Sequence, residues 1–230
     1  METGKIELIE VKGIKALIRE GTSDRFIVDE IIRGNAYRKL NIKPDDVIFD
    51  IGLNIGMFTI LALKKGVKSI YSYEPEVDNF NLAESNIALN HNKNNYKLFK
   101  KAVIGNDDLK RNFSINVKKN KGAHSLVEKK GRDSVEVGCI NFNKIIEKHK
   151  PTVIKMDIEG GEYEIIKNAN HFKGVREFIL EFHHAHLNDV YSREKYTEVI
   201  AILEKHFENV IYRKETKKAW VTLVYCYNEA

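Results

Sequence analysis

Two short segments of this 230-residue chain concentrate side chains that could bind a charged ligand. The first is a glycine-containing turn at residues 50–56, which begins with Asp50 after an apolar run and precedes a helical pattern. The second, residues 157–162, carries three carboxylates directly after another apolar run. In an open parallel sheet, ligands bind at the carboxyl ends of the strands. Both segments are therefore predicted to line one crevice, where carboxylates could accept hydrogen bonds or attract cations.

The turn at residues 50–56 has the form of a nucleotide-binding loop. Gly52 and Gly56 lack a Cβ, so the backbone can approach a ligand, and the following helix offers unpaired N–H groups. The Asp50 carboxylate would repel a pyrophosphate but attract a cationic group. Glu74 ends the next predicted strand and could accept hydrogen bonds from both hydroxyls of a ribose. This combination favours S-adenosylmethionine over NAD, although an ordinary strand-to-helix turn would have the same glycines.

The carboxylates of the second segment are interpreted as the acceptor side of the crevice. Asp157 and Glu159 follow the fourth strand of an alternating α/β pattern, and Glu181 ends the fifth. Glu162 alone is better explained as a favourable charge at a helix N-terminus. The group as a whole is expected to face the same crevice as Asp50, because all these strands end at one edge of the sheet.

In these segments the sequence resembles the FkbM-type methyltransferases. The resemblance spans roughly residues 45–185 and rests on Asp50-Ile51-Gly52-Leu53-Asn54-Ile55-Gly56, on Glu74-Pro75 with Asn79, Leu82, Asn86 and Asn90, on Met156-Asp157-Ile158-Glu159-Gly160-Gly161-Glu162, and on Glu181-Phe182-His183. It implies a class I, Rossmann-like fold with S-adenosylmethionine as the methyl donor. It leaves the acceptor open, because the family is associated with hydroxyls of natural products and glycans and, in some short stand-alone members, with tRNA bases.

Two sets of site residues follow from the motifs and the resemblance. The predicted donor-binding residues are Asp50, Gly52, Asn54, Gly56, Phe58, Glu74, Pro75 and Asp157. The predicted catalytic residues, on the acceptor side, are Asp157, Glu159, Glu181 and His183.

The chemistry required of the acceptor side depends on the attacked atom. A ring nitrogen such as guanine N7 attacks with its own lone pair, whereas a hydroxyl needs a general base or a metal nearby. The candidate bases after the fifth strand are His183, His184 and His186. Oxygen ligands for Mg²⁺ could come from Asp157, Glu159 and Glu181, but the sequence assigns no metal.

Positive charge is concentrated between residues 91 and 150. This segment holds fifteen Lys or Arg and six Asp or Glu, a net charge of +9, whereas the whole chain carries +5. A polyphosphate partner prefers such a surface, although a run of charge can also be a solvated face. The predicted RNA contacts are Lys118, Lys119, Lys121, Lys129, Lys130 and Arg132.

The elements that position these residues are those of an α/β domain, with helices on both faces of a mainly parallel seven-stranded sheet. Strands are predicted at residues 46–51, 69–74, 96–103, 152–157 and 177–182, and the tail adds a helix at 193–207 and strands at 209–213 and 219–227. Residues 111–139 alternate like a small β insertion. Residues 1–40 form a predicted extension that covers the cofactor side, and residues 41–230 form the methyltransferase domain. The extension contains a hairpin with strands at 6–11 and 14–19 and a helix at 24–33, capped by Ser23 or Asp24, with Phe26, Ile27, Ile31 and Ile32 packed inward.

Composition excludes several classes of protein. The hydrophobic content of 43% and the charged content of 31% are those of a globular domain. No apolar run approaches the length of a membrane span, and the first ten residues contain no secretory signal pattern. Cys139 and Cys226 are far apart, which gives no support for a disulfide framework or zinc site. A cytoplasmic location is expected.

The function predicted from the sequence is methyl transfer from S-adenosylmethionine to a base in structured RNA, in particular guanine N7 in tRNA. The alternative is O-methylation of a small molecule or glycan. A protein that senses S-adenosylmethionine without transferring a methyl, or an NAD-dependent protein, is a further alternative from a different class.

Overall fold

Strands and helices alternate along most of the chain in the computed structural model, which describes residues 5–115, 124–126, 133–184, 193–212 and 221–229. The strands are β1 (Ile6–Val11), β2 (Ile14–Arg19), β3 (Val47–Ile51), β4 (Ser69–Tyr73), β5 (Tyr96–Phe99), β6 (Ala102–Ile104), β7 (Lys110–Ile115), β8 (Asp133–Asn141), β9 (Val153–Met156), β10 (Glu177–His183), β11 (Asn209–Tyr212) and β12 (Val221–Tyr227). The helices are α1 (Asp24–Val28), α2 (Met57–Lys64), α3 (Val77–Asn90), α4 (Phe142–His149), α5 (Glu162–Asn168) and α6 (Arg193–Leu203).

Seven strands form one sheet in the order β11-β12-β10-β9-β3-β4-β5. The pairs from β10 through β9, β3 and β4 to β5 are parallel, and β12 is antiparallel to both of its neighbours. The strand order reverses beside β3, which has β4 on one side and β9 on the other. Open α/β sheets bind their ligands at this kind of position. The predicted mainly parallel seven-stranded sheet is confirmed.

Both faces of the sheet are buried by helices. Ile48 of β3 contributes to one core, which also contains α2, α3 and the N-terminal residues before β3. Phe49 and Ile51 contribute to the opposite core with α4, α5 and α6. Successive side chains of a strand point to opposite faces, so the apolar run of β3 serves two cores at once.

The predicted β insertion is present as a separate three-stranded sheet. β6 pairs in parallel with β8, and β8 pairs antiparallel with β7. The strand predicted at residues 96–103 is wrong in one respect, because it breaks into β5 and β6 after Phe99. β5 belongs to the large sheet and β6 to the small one, so one apolar segment supplies two sheets.

The N-terminal hairpin, β1 and β2, has the predicted bounds and turns at Lys12 and Gly13, both at positive φ. The helix that follows begins as α1 and continues as a π-helical segment, Asp29–Arg33. Phe26 is 67% exposed, so its predicted inward packing is wrong. Val28, two positions on, is buried instead, and Ile32 in the segment that follows is buried as predicted. A two-residue step turns a helical side chain to roughly the opposite side.

Two further details of the helices differ from the sequence predictions. Ser23 is the N-cap residue of α1 but makes no side-chain capping hydrogen bond, and the Asp24 carboxylate instead accepts hydrogen bonds from the backbone N–H and guanidinium of Arg19. The helix predicted at 193–207 ends at Leu203. Within the described ranges, no helix combines the length and apolar character that crossing a lipid bilayer requires.

A buried polar network joins β3, α2, β4 and β9 at the centre of the sheet. The Asp50 Oδ2 atom accepts a hydrogen bond from Thr59 Oγ1 at 2.8 Å, and Thr59 Oγ1 lies 2.8 Å from Ser72 Oγ. Lys155 Nζ lies 3.2 Å from Asp50 Oδ1 and donates its hydrogen bond to the Gly52 carbonyl at 2.6 Å. Asp50, Thr59, Ser72 and Lys155 are all buried. Burial raises the pKa of Asp50, and the Lys155 ammonium opposes that rise.

We expect Lys155→Met to destabilise the protein by about 3–5 kcal/mol, because a buried carboxylate would lose its cation. The double variant Asp50→Asn/Lys155→Met should recover part of this loss, because neither charge then remains. Urea denaturation of the three proteins measures the difference.

The exposed pair Lys144–Asp107 is the matched control, with side-chain exposures of 66% and 69%. Lys144→Met should leave the unfolding midpoint nearly unchanged. Equal losses from Lys155→Met and Lys144→Met would contradict a structural role for the buried pair.

Candidate active site

A cleft of about 880 Å³, part of which is open solvent, lies at the carboxyl ends of β3, β4 and β9. The three strands, the small sheet and the N-terminal segment all contribute to its walls. The lining residues are Ile27, Glu30, Ile31, Tyr37, Ile51, Gly52, Leu53, Asn54, Met57, Phe58, Tyr73, Glu74, Pro75, Asn79, Lys101, Ala102, Val103, Phe113, His124, Leu126, Lys155, Asp157, Ile158 and Glu159.

Gly52 permits a close approach between the ends of β3 and β9. It has a φ of +90°, and a Cβ at this position would lie 1.8 Å from the Asp157 carbonyl oxygen. A hydrogen bond joins the ends of these two strands, because the Asp157 N–H donates to the Ile51 carbonyl at 2.9 Å. Only glycine satisfies both the conformation and the space, so the loop after β3 lies directly against the loop after β9.

Glu74 presents a buried carboxylate to the cleft. Its Oε2 atom accepts the Asn54 N–H and its Oε1 atom accepts the Glu76 N–H, each at 2.9 Å. Asn54 has a φ of +51°, a left-handed conformation that asparagine tolerates better than most residues. Each carboxylate oxygen retains further lone-pair capacity that could accept a ligand hydroxyl. Burial raises the pKa of Glu74 to about 7.

Two of the predicted donor-binding residues do not line the cleft. Asp50 is completely buried beneath it and belongs to the network with Thr59 and Lys155, so its carboxylate is not at the mouth of the turn. Gly56 is the N-cap residue of α2, with a φ of +90°, and packs against Ala83, where an added Cβ would lie 3.3 Å from the alanine side chain. Both residues shape the loop from behind. The other six, Gly52, Asn54, Phe58, Glu74, Pro75 and Asp157, line the cleft.

Lys155 and Tyr37 lie between the donor-side loop and the carboxylates. Burial acts to lower the pKa of Lys155, but Asp50, Asp157 and Glu181 outweigh it and raise the pKa. The ammonium therefore stays charged, and it lies 5.5 Å from the centroid of the Tyr37 ring. Tyr37 also makes an edge contact with Phe58 of α2, with centroids 5.3 Å apart.

Carboxylates form one side of the cleft, which we call the acidic wall: Asp157, Glu159 and Glu30. Glu181 lies behind this wall rather than on it and accepts a hydrogen bond from Tyr37 Oη at 3.0 Å. The same hydroxyl lies 3.4 Å from Asp157 Oδ2. Burial raises the pKa of Asp157, and it raises the pKa of Glu181 to about 7.

His183 is buried behind the acidic wall and does not line the cleft. Its Nδ1 atom lies 2.9 Å from Glu162 Oε1, and its Nε2 atom lies 3.8 Å from Asp157 Oδ1 and 3.7 Å from Glu159 Oε1. Burial alone would lower the pKa of His183, but Glu162, Asp157 and Glu159 raise it to about 10. An imidazole held in this way is protonated at neutral pH, so its predicted role as a general base is not supported.

The other predicted bases are not part of the site as described. His184 is fully buried, bonds through Nε2 to Thr222 Oγ1 at 2.8 Å and packs between the rings of Phe182 and Tyr196. This makes it a core histidine.

Several predicted site residues lie outside the described residues. They are His186 and all six predicted RNA contacts, Lys118, Lys119, Lys121, Lys129, Lys130 and Arg132.

Several residues of the site had no assigned role in the sequence. The sequence could have indicated a role for Lys155, since it is the one charged residue in the four-residue strand β9. It could not have indicated a role for Tyr37, because the hydrogen-bond partners of Tyr37 are 120 and 144 positions away along the chain. Phe113, His124 and Leu126 reach the cleft from the β insertion, whose position relative to the large sheet no local pattern specifies.

Comparison with known proteins identifies the family. The model of the FkbM methyltransferase domain matches residues 50–210 of this chain. The methyltransferase sdnD of Sordaria araneosa is 23% identical over 213 residues, which cover 78% of this chain and 82% of the relative.

Solved structures agree in fold. The structure of M. jannaschii TYW2 in complex with AdoMet has a TM-score of 0.51 and 14% identity, and the match covers 98% of this chain and 87% of that one. The complex of aTrm5 with tRNALeu has a TM-score of 0.54 and 12% identity, covering 99% of this chain and 54% of that one. At such identities the likeness establishes the class I methyltransferase fold. Because the family model matches well over half of the chain, this protein belongs to the FkbM methyltransferase family and is an S-adenosylmethionine-dependent methyltransferase.

Proposed function

We propose that this enzyme methylates N7 of a guanine in structured RNA, and that its substrate is a tRNA. The observation that carries the proposal is the acidic wall, which offers hydrogen-bond acceptors to a base, while neither of the described histidines at the end of β10, His183 and His184, lines the cleft. The acceptor suggested by this arrangement presents N–H donors to the protein and a lone pair to the methyl group.

The donor half of the cleft fits S-adenosylmethionine. The Glu74 carboxylate would hold the ribose hydroxyls, and the apolar side chains of Leu53, Met57 and Phe58 would pack against the bound molecule. When bound, the donor supplies a sulfonium-activated methyl group. Glu74 and the Gly52 turn fix its position, and positioning is a large part of the acceleration of a displacement reaction.

Guanine matches the acidic wall chemically. Its N1–H and exocyclic amino group are adjacent donors, and a single carboxylate can accept both. Asp157, Glu159 and Glu30 all supply such oxygens on the cleft surface. The N7 atom lies on the opposite edge of the base and has a free lone pair, so no proton has to leave before attack.

RNA as the partner is supported by the charge of residues 91–150. The six strongest candidate contacts lie outside the described residues, but Lys101 from the same segment is exposed and lines the cleft. The neighbouring Lys100 is also exposed, and both lie at the junction between β5 and β6. A phosphate backbone that crosses this junction would bring a base to the cleft. A cytoplasmic location is consistent with such a substrate and remains a prediction.

A hydroxyl acceptor is the second candidate. The observation that favours it is the hydrogen bond between Tyr37 and Glu181. Tyr37 holds the Glu181 carboxylate beside Asp157, behind the acidic wall. A carboxylate oriented in this way could receive the proton of a hydroxyl through the wall residues.

Incubation of the enzyme with radiolabelled S-adenosylmethionine and unmodified tRNA, followed by nucleoside digestion and mass analysis, tests the acceptor. We expect label in 7-methylguanosine and its loss with Asp157→Asn. Label in a 2′-O-methylated nucleoside would instead support the hydroxyl candidate. Absence of label from tRNA, with donor binding intact by calorimetry, would reject the RNA proposal.

The basic segment can be tested by changing Lys118, Lys119, Lys129 and Lys130 to Glu. RNA affinity should fall and its dependence on salt should become shallower, because fewer counterions are released on binding. The matched control changes four exposed lysines elsewhere, Lys65, Lys68, Lys173 and Lys205, to Glu. Equal losses of affinity in the two variants would show only a general effect of net charge.

Donor binding should depend on pH through Glu74. Its pKa of about 7 means that the carboxylate is ionised above neutral pH and protonated below it. The ionised form accepts both ribose hydroxyls, so affinity should fall by about tenfold between about pH 8 and about pH 6. Calorimetry over this range measures the slope.

Glu74→Gln is the control, since glutamine does not titrate. It should bind the donor more weakly and with little pH dependence. Glu181 also titrates near neutral pH. A slope that persists unchanged in Glu74→Gln would therefore assign the pH effect to Glu181 or another group and contradict the role given to Glu74.

A further inference from the structure

We propose that Asp157, Glu159 and His183 form a binding site for a divalent first-row transition-metal ion, with Mn²⁺ as the probe. This site does not include Glu74, which is proposed to hold the donor ribose. It shares Asp157 and Glu159 with the acidic wall, so with an ion bound the acceptor would use Glu30 and the carboxylate oxygens that do not bind the ion. The sequence had suggested Asp157, Glu159 and Glu181 as oxygen ligands for Mg²⁺. The structure replaces Glu181 with a histidine, which changes the class of metal.

The distances among the three side chains are those of groups that can share an ion. One oxygen from each carboxylate and one imidazole nitrogen all lie within 4.8 Å of one another. His183 Nε2 is 3.8 Å from Asp157 Oδ1 and 3.7 Å from Glu159 Oε1, which is longer than a hydrogen bond. Two ligand atoms that are each about 2.1 Å from an ion lie about 3.0 Å apart at right angles and about 4.2 Å apart on opposite sides. Both His183 separations fall within this interval.

Glu162 orients the imidazole for this role. Its Oε1 atom lies 2.9 Å from His183 Nδ1, and with a proton on Nδ1 the imidazole donates to Glu162 and directs Nε2 toward the two carboxylates. The Nε2 proton of the metal-free imidazolium would be released when the ion binds. Metal-binding histidines are commonly held by a carboxylate through the other ring nitrogen in this way.

The Glu162 carboxylate also fixes the loop that carries Glu159. Glu162 Oε1 also accepts the N–H groups of Ile158 and Gly160, each at 3.2 Å. Ser125 Oγ donates to the Glu159 carbonyl at 2.6 Å. The backbone on both sides of the Glu159 side chain is therefore held in place before any ion binds.

The three ligands differ in exposure, so an ion could reach them only from the cleft. The His183 side chain is 5% exposed, whereas those of Asp157 and Glu159 are 29% and 23% exposed and face the cleft. The remaining coordination positions would point into the cleft and could hold water or an oxygen of the acceptor. Two carboxylates with an imidazole favour Mn²⁺, Fe²⁺ or Zn²⁺ over Mg²⁺, which prefers oxygen alone.

Calorimetry of chelator-treated enzyme with Mn²⁺ and with Zn²⁺, together with pulsed EPR of the Mn²⁺ form, tests the site. We expect one bound ion and a nitrogen coupling from an imidazole ligand. His183→Gln should abolish that coupling, and Asp157→Asn or Glu159→Gln should weaken binding by about tenfold or more. Circular dichroism would verify that each variant is folded.

Glu30→Gln is the matched control, because it removes a carboxylate from the same cleft without removing a proposed ligand. Its Mn²⁺ affinity should stay within about threefold of the parent enzyme, since it loses only a longer-range charge. The proposal is overturned if the folded parent enzyme binds neither ion at millimolar concentration, or if His183→Gln keeps both the affinity and the nitrogen coupling. These readouts need no acceptor, so a failure here is separable from a failure of the RNA proposal.

Discussion

The buried ammonium of Lys155 is the interaction on which the arrangement of this site depends. Its Nζ atom binds the Gly52 carbonyl and pairs with Asp50, and Asp157 and Glu181 add to the field that keeps it charged. Carboxylates placed this close together would repel one another in a medium of low dielectric constant. A single cation inserted from β9 offsets this repulsion and at the same time links the loops after β3 and β9. The position beside β3 where the strand order reverses is therefore also where the buried carboxylates are compensated by a cation.

A second cation, His183, plays a similar part on the other side of the acidic wall. It lies against Glu162 and near Asp157 and Glu159, and their combined charge raises its pKa despite burial. The two cations do not cancel the carboxylates completely. A site that stays negative suits a donor with a positively charged sulfur, so the attraction first assigned to Asp50 alone belongs to the whole group.

The sequence predicted the parts of this fold that are set by local pattern. Apolar runs and turn residues gave the hairpin bounds, the parallel strands and the positions of Gly52 and Glu74, because hydrophobic period and strand ends are properties of neighbouring residues. It did not predict that Asp50 lies under the cleft, since its cation comes from a strand that is more than a hundred positions away. Phe26 was misplaced for a related reason, as the helix packs through Val28 and not through its largest side chain. Partnerships across the sheet cannot be derived from spacing alone.

The segment matched by the family model begins at residue 50, yet part of the cleft is built from residues that precede it. Ile27, Glu30, Ile31 and Tyr37 all line the cleft, and Tyr37 reaches Asp157 and Glu181 on the far side. The donor loop, Asp157 and Glu159 thus come from the matched segment, whereas Glu30 of the acidic wall and the rest of the cover precede it. Such a division lets selection alter the shape and polarity seen by an acceptor without disturbing the machinery that holds the donor. Diversity of substrates within one fold would then arise at the cover.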